Sequence, residues 1–159
     1  MAPGAAAPAA GAPAGADIPE AAAEPPTAEA PSATDPDPHG LGVAAERMSG
    51  GARRHGRTAL SVAAGRLADG ERVELVLVGR YLGFDAAMVL TPSRLLVVND
   101  RPWDPEVVVI DAVGAHEVSG WADRRAATLE LVGPSGRHVI DRIADADLAE
   151  SMAVAIRAR

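Results

Sequence analysis

The segment from Glu71 to Asp104 reads ERVELVLVGRYLGFDAAMVLTPSRLLVVNDRPWD, and the β-branched and aliphatic density of the chain begins with it. Two apolar runs, Ala86 to Leu90 and Leu95 to Val98, flank Thr91-Pro92-Ser93-Arg94. A short Pro-containing link between two such runs predicts a β-hairpin, with a strand on either side of Pro92.

Working outward, strand candidates recur at short intervals, the spacing of an antiparallel roll or sandwich and not of βαβ units. Seven are expected: 72–79, 86–91, 94–99, 106–110, 116–121, 126–132 and 137–142. The separators carry turn chemistry, from Gly83 and Asp85 through Pro92 and Pro102 to Gly133-Pro134-Ser135-Gly136. Alternation is cleanest where Val73, Leu75 and Leu77 oppose Arg72, Glu74 and Val76, and where Leu129 and Leu131 flank Glu130. Beyond the last strand, Leu148, Met152 and Ile156 fall on one helical stripe, behind an Asp147/Glu150 spacing that matches a capping box. The pattern predicts a C-terminal amphipathic helix lying over the sheet, with Arg157 and Arg159 complementing its dipole.

Upstream, residues 1–40 contain 15 Ala, nine Pro and six acids with no Lys or Arg, so they are expected to form a disordered acidic Pro/Ala-rich tail. Residues 41–69 invert the charge: Arg47, Arg53, Arg54, Arg57 and Arg66 mark a basic linker, within which 58–68 predicts a short helix with Leu60, Ala64 and Leu67 on one face. Gly40-Leu41-Gly42-Val43-Ala44-Ala45 satisfies G-x-G-x-x-A, but Asp35-Pro36-Asp37-Pro38 before it cannot supply the strand a dinucleotide site requires.

The net charge of -7 resides mostly in the tail, leaving the remainder near neutral and without the basic footprint of a nucleic-acid binder. There is no cysteine, which removes disulfides and thiolate metal sites. His39, His55, His116 and His138 show no metal-ligand spacing, and no G-x-S-x-G elbow or paired carboxylates suggest catalysis. The expectation is therefore no enzyme, no metal and no cofactor. No export signal and no membrane span are apparent, so a cytoplasmic chain is the default expectation.

Seven antiparallel strands closed by one helix, opening on Gly70-Glu71-Arg72-Val73 and carrying Val89-Leu90-Thr91-Pro92-Ser93-Arg94-Leu95-Leu96-Val97-Val98, resemble a bacterial pleckstrin-homology-like domain, the YokE-like branch in particular. The resemblance covers about Asp69 to Arg157 and implies an all-β PH-like domain over residues 70–159. In that fold a seven-stranded antiparallel roll, or split barrel, is capped by one amphipathic helix. It also implies a binding or scaffolding module. The first inter-strand loop, Gly79 to Asp85, carries only Arg80, which departs from the basic clamp of phosphoinositide-binding relatives. A protein partner is accordingly expected before lipid. In such a fold the first-second, third-fourth and sixth-seventh strand loops share one open end, which gathers Arg80, Tyr81, Arg101, Trp103 and Arg137 as the candidate binding surface. The first alternative is an anionic membrane surface docked on Arg47, Arg53, Arg54, Arg57 and Arg66, and the second is an enzyme of unknown type. Trp121 is expected in the core; Trp103 either anchors a partner or folds back over the barrel mouth.

Overall fold

The computed structural model describes residues 36–159, so the expected tail lies outside the described residues except for its last five positions. Those five are part of the fold. His39 binds the strand segment that follows, its carbonyl accepting from Val73 N at 2.8 Å and its Nδ1 meeting the Glu71 carbonyl at 2.9 Å. Val73 thus pairs with His39 and not with the sheet, Glu74 N donates to the Leu90 carbonyl at 2.9 Å, and the first strand begins at Leu75.

Three short helices come first: α1 Leu41–Ala45, α2 Gly50–His55 and α3 Arg57–Ala64. Seven strands follow: β1 Leu75–Tyr81, β2 Phe84–Leu90, β3 Leu95–Asn99, β4 Val107–Ile110, β5 Glu117–Ala122, β6 Ala127–Gly133 and β7 Gly136–Ile143. Helix α4, Ala146–Arg157, ends the chain. All neighbouring strands are antiparallel, in the order β4-β3-β2-β1-β7-β6-β5, an open roll of the expected class.

Two half-sheets meet at β1 and β7, where the ladder is reduced to one pair, Arg80 opposite Asp141. Close approach at this seam depends on Gly79: a Cβ there would lie 2.6 Å from the Asp141 carbonyl oxygen and 2.8 Å from both Ile140 and Ile143 side chains. On the inner face, Met152, Ala153 and Ile156 of α4 pack on Leu77, Met88, Leu90, Leu131 and Ile140. Asp145 is the N-cap residue of α4, in place of an Asp147 capping box, and its carboxylate caps no amide of its own helix but accepts from Ser49 N at 3.1 Å and Ser49 Oγ at 3.3 Å. Ser49 is itself the N-cap of α2, so one carboxylate joins the starts of two helices. Helix α4 also shields the outer edge of β5, where Arg157 Nε and Nη2 donate to the Val118 carbonyl at 3.3 and 3.0 Å.

The segment expected as a linker forms a third layer. Leu41, Met48, Ala59, Ala63 and Leu67 cover the outer face of β1 to β3, burying Val76, Val78, Ala87, Val89, Leu96 and Val98. The buried stripe of α3 is Ala59 and Ala63 and not Leu60 and Ala64, since small residues let the helix backbone lie close to the strands. Two aromatics also depart from expectation. Val118 faces the core, so Trp121, three residues further along the same strand, points to the opposite face and is 56 % exposed. Tyr81 shares the inner face with Leu77 and is buried.

Candidate functional site

The β1–β2, β3–β4 and β6–β7 connections all lie at the same end of their strands, opposite the β2–β3 hairpin. There the inner face turns polar. The Tyr81 hydroxyl lies 3.0 Å from His138 Nδ1, and His138 Nε2 lies 3.1 Å from Ser135 Oγ. Ser135 Oγ is in turn 2.6 Å from His116 Nε2, and His116 Nδ1 is 3.0 Å from the Ala112 carbonyl. Both histidines are buried, while Ser135 sits exposed in the β6–β7 turn.

The direction of this chain follows from its last member. A carbonyl only accepts, so His116 Nδ1 carries a proton, and with the ring neutral Nε2 accepts from the Ser135 hydroxyl. The Ser135 oxygen then accepts from His138 Nε2, and His138 Nδ1 accepts from the Tyr81 hydroxyl. Every polar atom in the relay is satisfied. Burial pushes the Tyr81 phenol above its ordinary range, and the Glu106 carboxylate adds to that push, which keeps the hydroxyl a donor. Ring orientation is equally fixed, since His116 lies flat on Gly133, where a Cβ would fall 2.5 Å from His116 Cδ2. Ser135, His116 and the Ala112 carbonyl have the outline of an activated serine.

The residues expected to share this end divide into two groups. Arg80, Tyr81 and Arg137 line one groove of about 320 Å³ together with Leu82, Gly83 and Asp141. Their guanidiniums are engaged: Arg80 Nη2 donates to the Gly83 carbonyl, and Arg137 pairs with Glu130. Tyr81 offers the relay its hydroxyl and leaves little for a partner. Arg101 and Trp103 stand apart on the β3–β4 loop, which Asn99 clamps, its Oδ1 accepting from Glu106 N at 2.7 Å and Arg101 N at 3.3 Å. Arg101 braces the same loop through Asp104 at 2.7 Å. Between these braces Trp103 adopts a left-handed φ of 68° and is fully exposed, so it does not fold back over the barrel mouth. Asn99 Nδ2, fully buried, has no hydrogen-bond partner among the described residues.

The alternative surface has a different character. Arg47, Arg53, Arg54, Arg57 and Arg66 are all exposed on the helical layer, and none of them forms an ion pair among the described residues. At the opposite end from the relay, the Thr91-Pro92-Ser93-Arg94 turn is a structural tie. Glu71 accepts from Arg94 Nε and Nη2 at 2.8 and 2.7 Å, from Thr91 Oγ1 at 2.8 Å and from Ala68 N at 2.9 Å. Arg94 in turn donates to the Arg66 carbonyl at 2.8 Å, locking the helical layer to the hairpin. The Arg94 guanidinium holds the Glu71 carboxyl at about 2, far below its ordinary value, with the Ala68 amide and Thr91 hydroxyl assisting against the cost of burial.

Among the described residues no group of three or more His, Asp or Glu side chains is arranged to hold a metal ion, and no helix is long and apolar enough to cross a membrane. No family model, curated protein or solved structure matches the chain.

Proposed function

We propose that the chain is a non-catalytic binding module of pleckstrin-homology-like type that engages a protein partner through the β3–β4 loop, with Trp103 as the anchor. The observation that carries the reading is the cost accepted to keep this indole in water. A clamp from Asn99, an ion pair from Arg101 to Asp104 and a left-handed backbone at Trp103 together fix the loop that carries a fully exposed ring. Left-handed φ at a large residue costs on the order of 1–3 kcal/mol and persists where the surroundings enforce it. A braced loop loses little backbone entropy on docking, and Trp is enriched among residues that dominate interface energies. Arg101 acts as a brace and Tyr81 as part of the buried relay, which narrows the contact surface from the five open-end residues to Trp103, with Arg80 and Arg137 at the neighbouring groove.

The experiment is capture of partners on the full-length chain, followed by Trp103→Ala with Arg101 retained. Binding should fall at least about tenfold, the effect of losing a hot-spot residue, with an unchanged circular dichroism spectrum. A second reading rests on the five exposed arginines of the helical layer, unpaired among the described residues, which suit an anionic surface at about 1 kcal/mol each. Removing Arg53, Arg54 and Arg57 together tests it. Salt-sensitive co-sedimentation with anionic vesicles that this triple change abolishes, and that Trp103→Ala leaves intact, would replace the first reading by the second.

A further inference from the structure

We propose that Leu82 is a second anchor on the partner-binding surface, and that the partner presents an amphipathic helix with a basic polar face. The inference rests on the reading of Trp103 as an anchor and adds to it a residue, a spacing and a charge.

The residue comes from the β1–β2 turn. Leu82 and Gly83 join the paired Tyr81 and Phe84 with φ of 55° and 87°, the two-residue hairpin turn that needs left-handed backbone at both central positions. Asn, Asp or Gly fill the first of these positions at little cost, whereas a large apolar residue is disfavoured there. Leu82 occupies it and gains little burial in return, being 63 % exposed. Arg80 braces the turn, its Nη2 donating to the Gly83 carbonyl. Trp103 repeats the combination: left-handed backbone, a large apolar side chain in water and an arginine bracing its loop. Arg142, the remaining non-glycine residue with positive φ among the described ones, lies within β7 and not at a loop tip. Both tips thus keep an apolar side chain at a backbone position that favours a small or polar residue. Such outliers persist where a contact made by the side chain depends on them.

The spacing follows from the register. Asp100 N donates to the Asp85 carbonyl at 2.8 Å, which extends the β2–β3 pairing to the loops and sets the two tips side by side. The β1–β2 turn and the β3–β4 loop are centred two strand spacings apart, roughly 10 Å. Residues seven apart on a helix lie on one stripe about 10.5 Å apart, so one helix laid across the tips meets Leu82 and Trp103 along its apolar face. The charge around the tips selects its polar face. Asp85, Asp100, Asp104 and Glu106 outnumber Arg80 and Arg101 on these two connections, and none of the four acids is buried. That surround repels anionic lipid headgroups and suits lysines or arginines flanking an apolar stripe.

The test titrates the isotope-labelled full-length chain with a synthetic peptide of leucine and lysine patterned on the helical period. Its serine-for-leucine counterpart and vesicles of phosphatidylcholine and phosphatidylserine serve as controls. The leucine–lysine peptide should shift the Leu82 methyl and Trp103 indole resonances together, more weakly as salt rises, and neither control should shift them. Leu82→Asn should raise the melting temperature by a few degrees, because Asn suits the turn, while weakening the peptide at least about fivefold. Loss of affinity with a gain in stability separates an anchor from a structural residue. Binding that survives Leu82→Asn, or a Trp103 shift with Leu82 unmoved, would remove Leu82 and leave Trp103 standing. Binding at Leu82 that survives Trp103→Ala would instead overturn the reading on which the inference rests. Absence of tip shifts with the peptide, an equal response to the serine counterpart, or tip shifts with the vesicles would overturn the basic helical partner.

Discussion

The two half-sheets are built from the same kind of strand and are covered differently. In β2 and β3 the stretches Ala86 to Leu90 and Leu95 to Val98 are completely buried, because the core shared with the other half-sheet closes one face and α1 to α3 close the other. In β5 only Val118 is buried, and β6 alternates buried Ala127, Leu129 and Leu131 with more exposed neighbours, because α4 alone covers that half. A strand with one dry face writes a period of two into the sequence, whereas a strand with two dry faces writes an unbroken apolar run. Coverage, more than strand identity, decides what a substitution does.

The largest test of this contrast is Leu96→Ala. Leu96 points to the outer face, which would be solvent in an ordinary two-layer roll, yet it is fully buried under the helical layer. Urea unfolding should show a loss of about 2–5 kcal/mol, the range for deleting a buried leucine; a loss under about 1 kcal/mol would mean that the helices do not seal that face.

Next comes the tie between the helical layer and the sheet. The Glu71 carboxyl sits at about 2 in the folded chain against an ordinary value of 4.5. A depressed folded value stabilises the fold above the unfolded value, and that stabilisation is lost as pH falls toward the folded one. Glu71 is almost wholly buried, so the difference corresponds to about 3 kcal/mol. Stability should decline between roughly pH 4.5 and 2, and Glu71→Gln should flatten that decline in a series of melts. An unchanged pH profile in the variant would remove Glu71 from the account.

The smallest effect belongs to the singly covered half. Trp121→Ala, on the bare outer face of β5, should cost about 1 kcal/mol or less, as surface substitutions do. A cost comparable to that of Leu96→Ala would show that the outer face of β5 is covered after all.

Much of this was legible in the amino-acid order. The seven strands, the antiparallel arrangement and the α4 stripe of Leu148, Met152 and Ile156 follow from periodicity and turn residues. The third layer was legible in principle: Ala87, Val89, Leu96 and Val98 leave no polar positions for a solvent face, and residues 41–69 were the remaining segment able to cover one. It was obscured because the covering residues are mainly alanines, whose burial leaves a weak apolar periodicity, while the five arginines on the same segment dominate its appearance. Trp121 could have been placed by parity from Val118, once the bare outer face was recognised. The relay could not. Tyr81, His116, Ser135 and His138 come from three different stretches, and the β5–β6 and β6–β7 registers with the single β1–β7 rung bring them within hydrogen-bond distance.

The guanidinium of Arg157 on the Val118 carbonyl has a consequence for how copies of this chain meet one another. An outermost strand presents free amides and carbonyls on which a second molecule can lay its own strand, and proteins stay monodisperse by spoiling that invitation with charge. Here the spoiler comes from a helix that has already packed. The β5 rim is thus guarded only once α4 is docked, and a chain whose last helix has come loose would expose its hydrophobic interior and a strip for strand addition at the same moment.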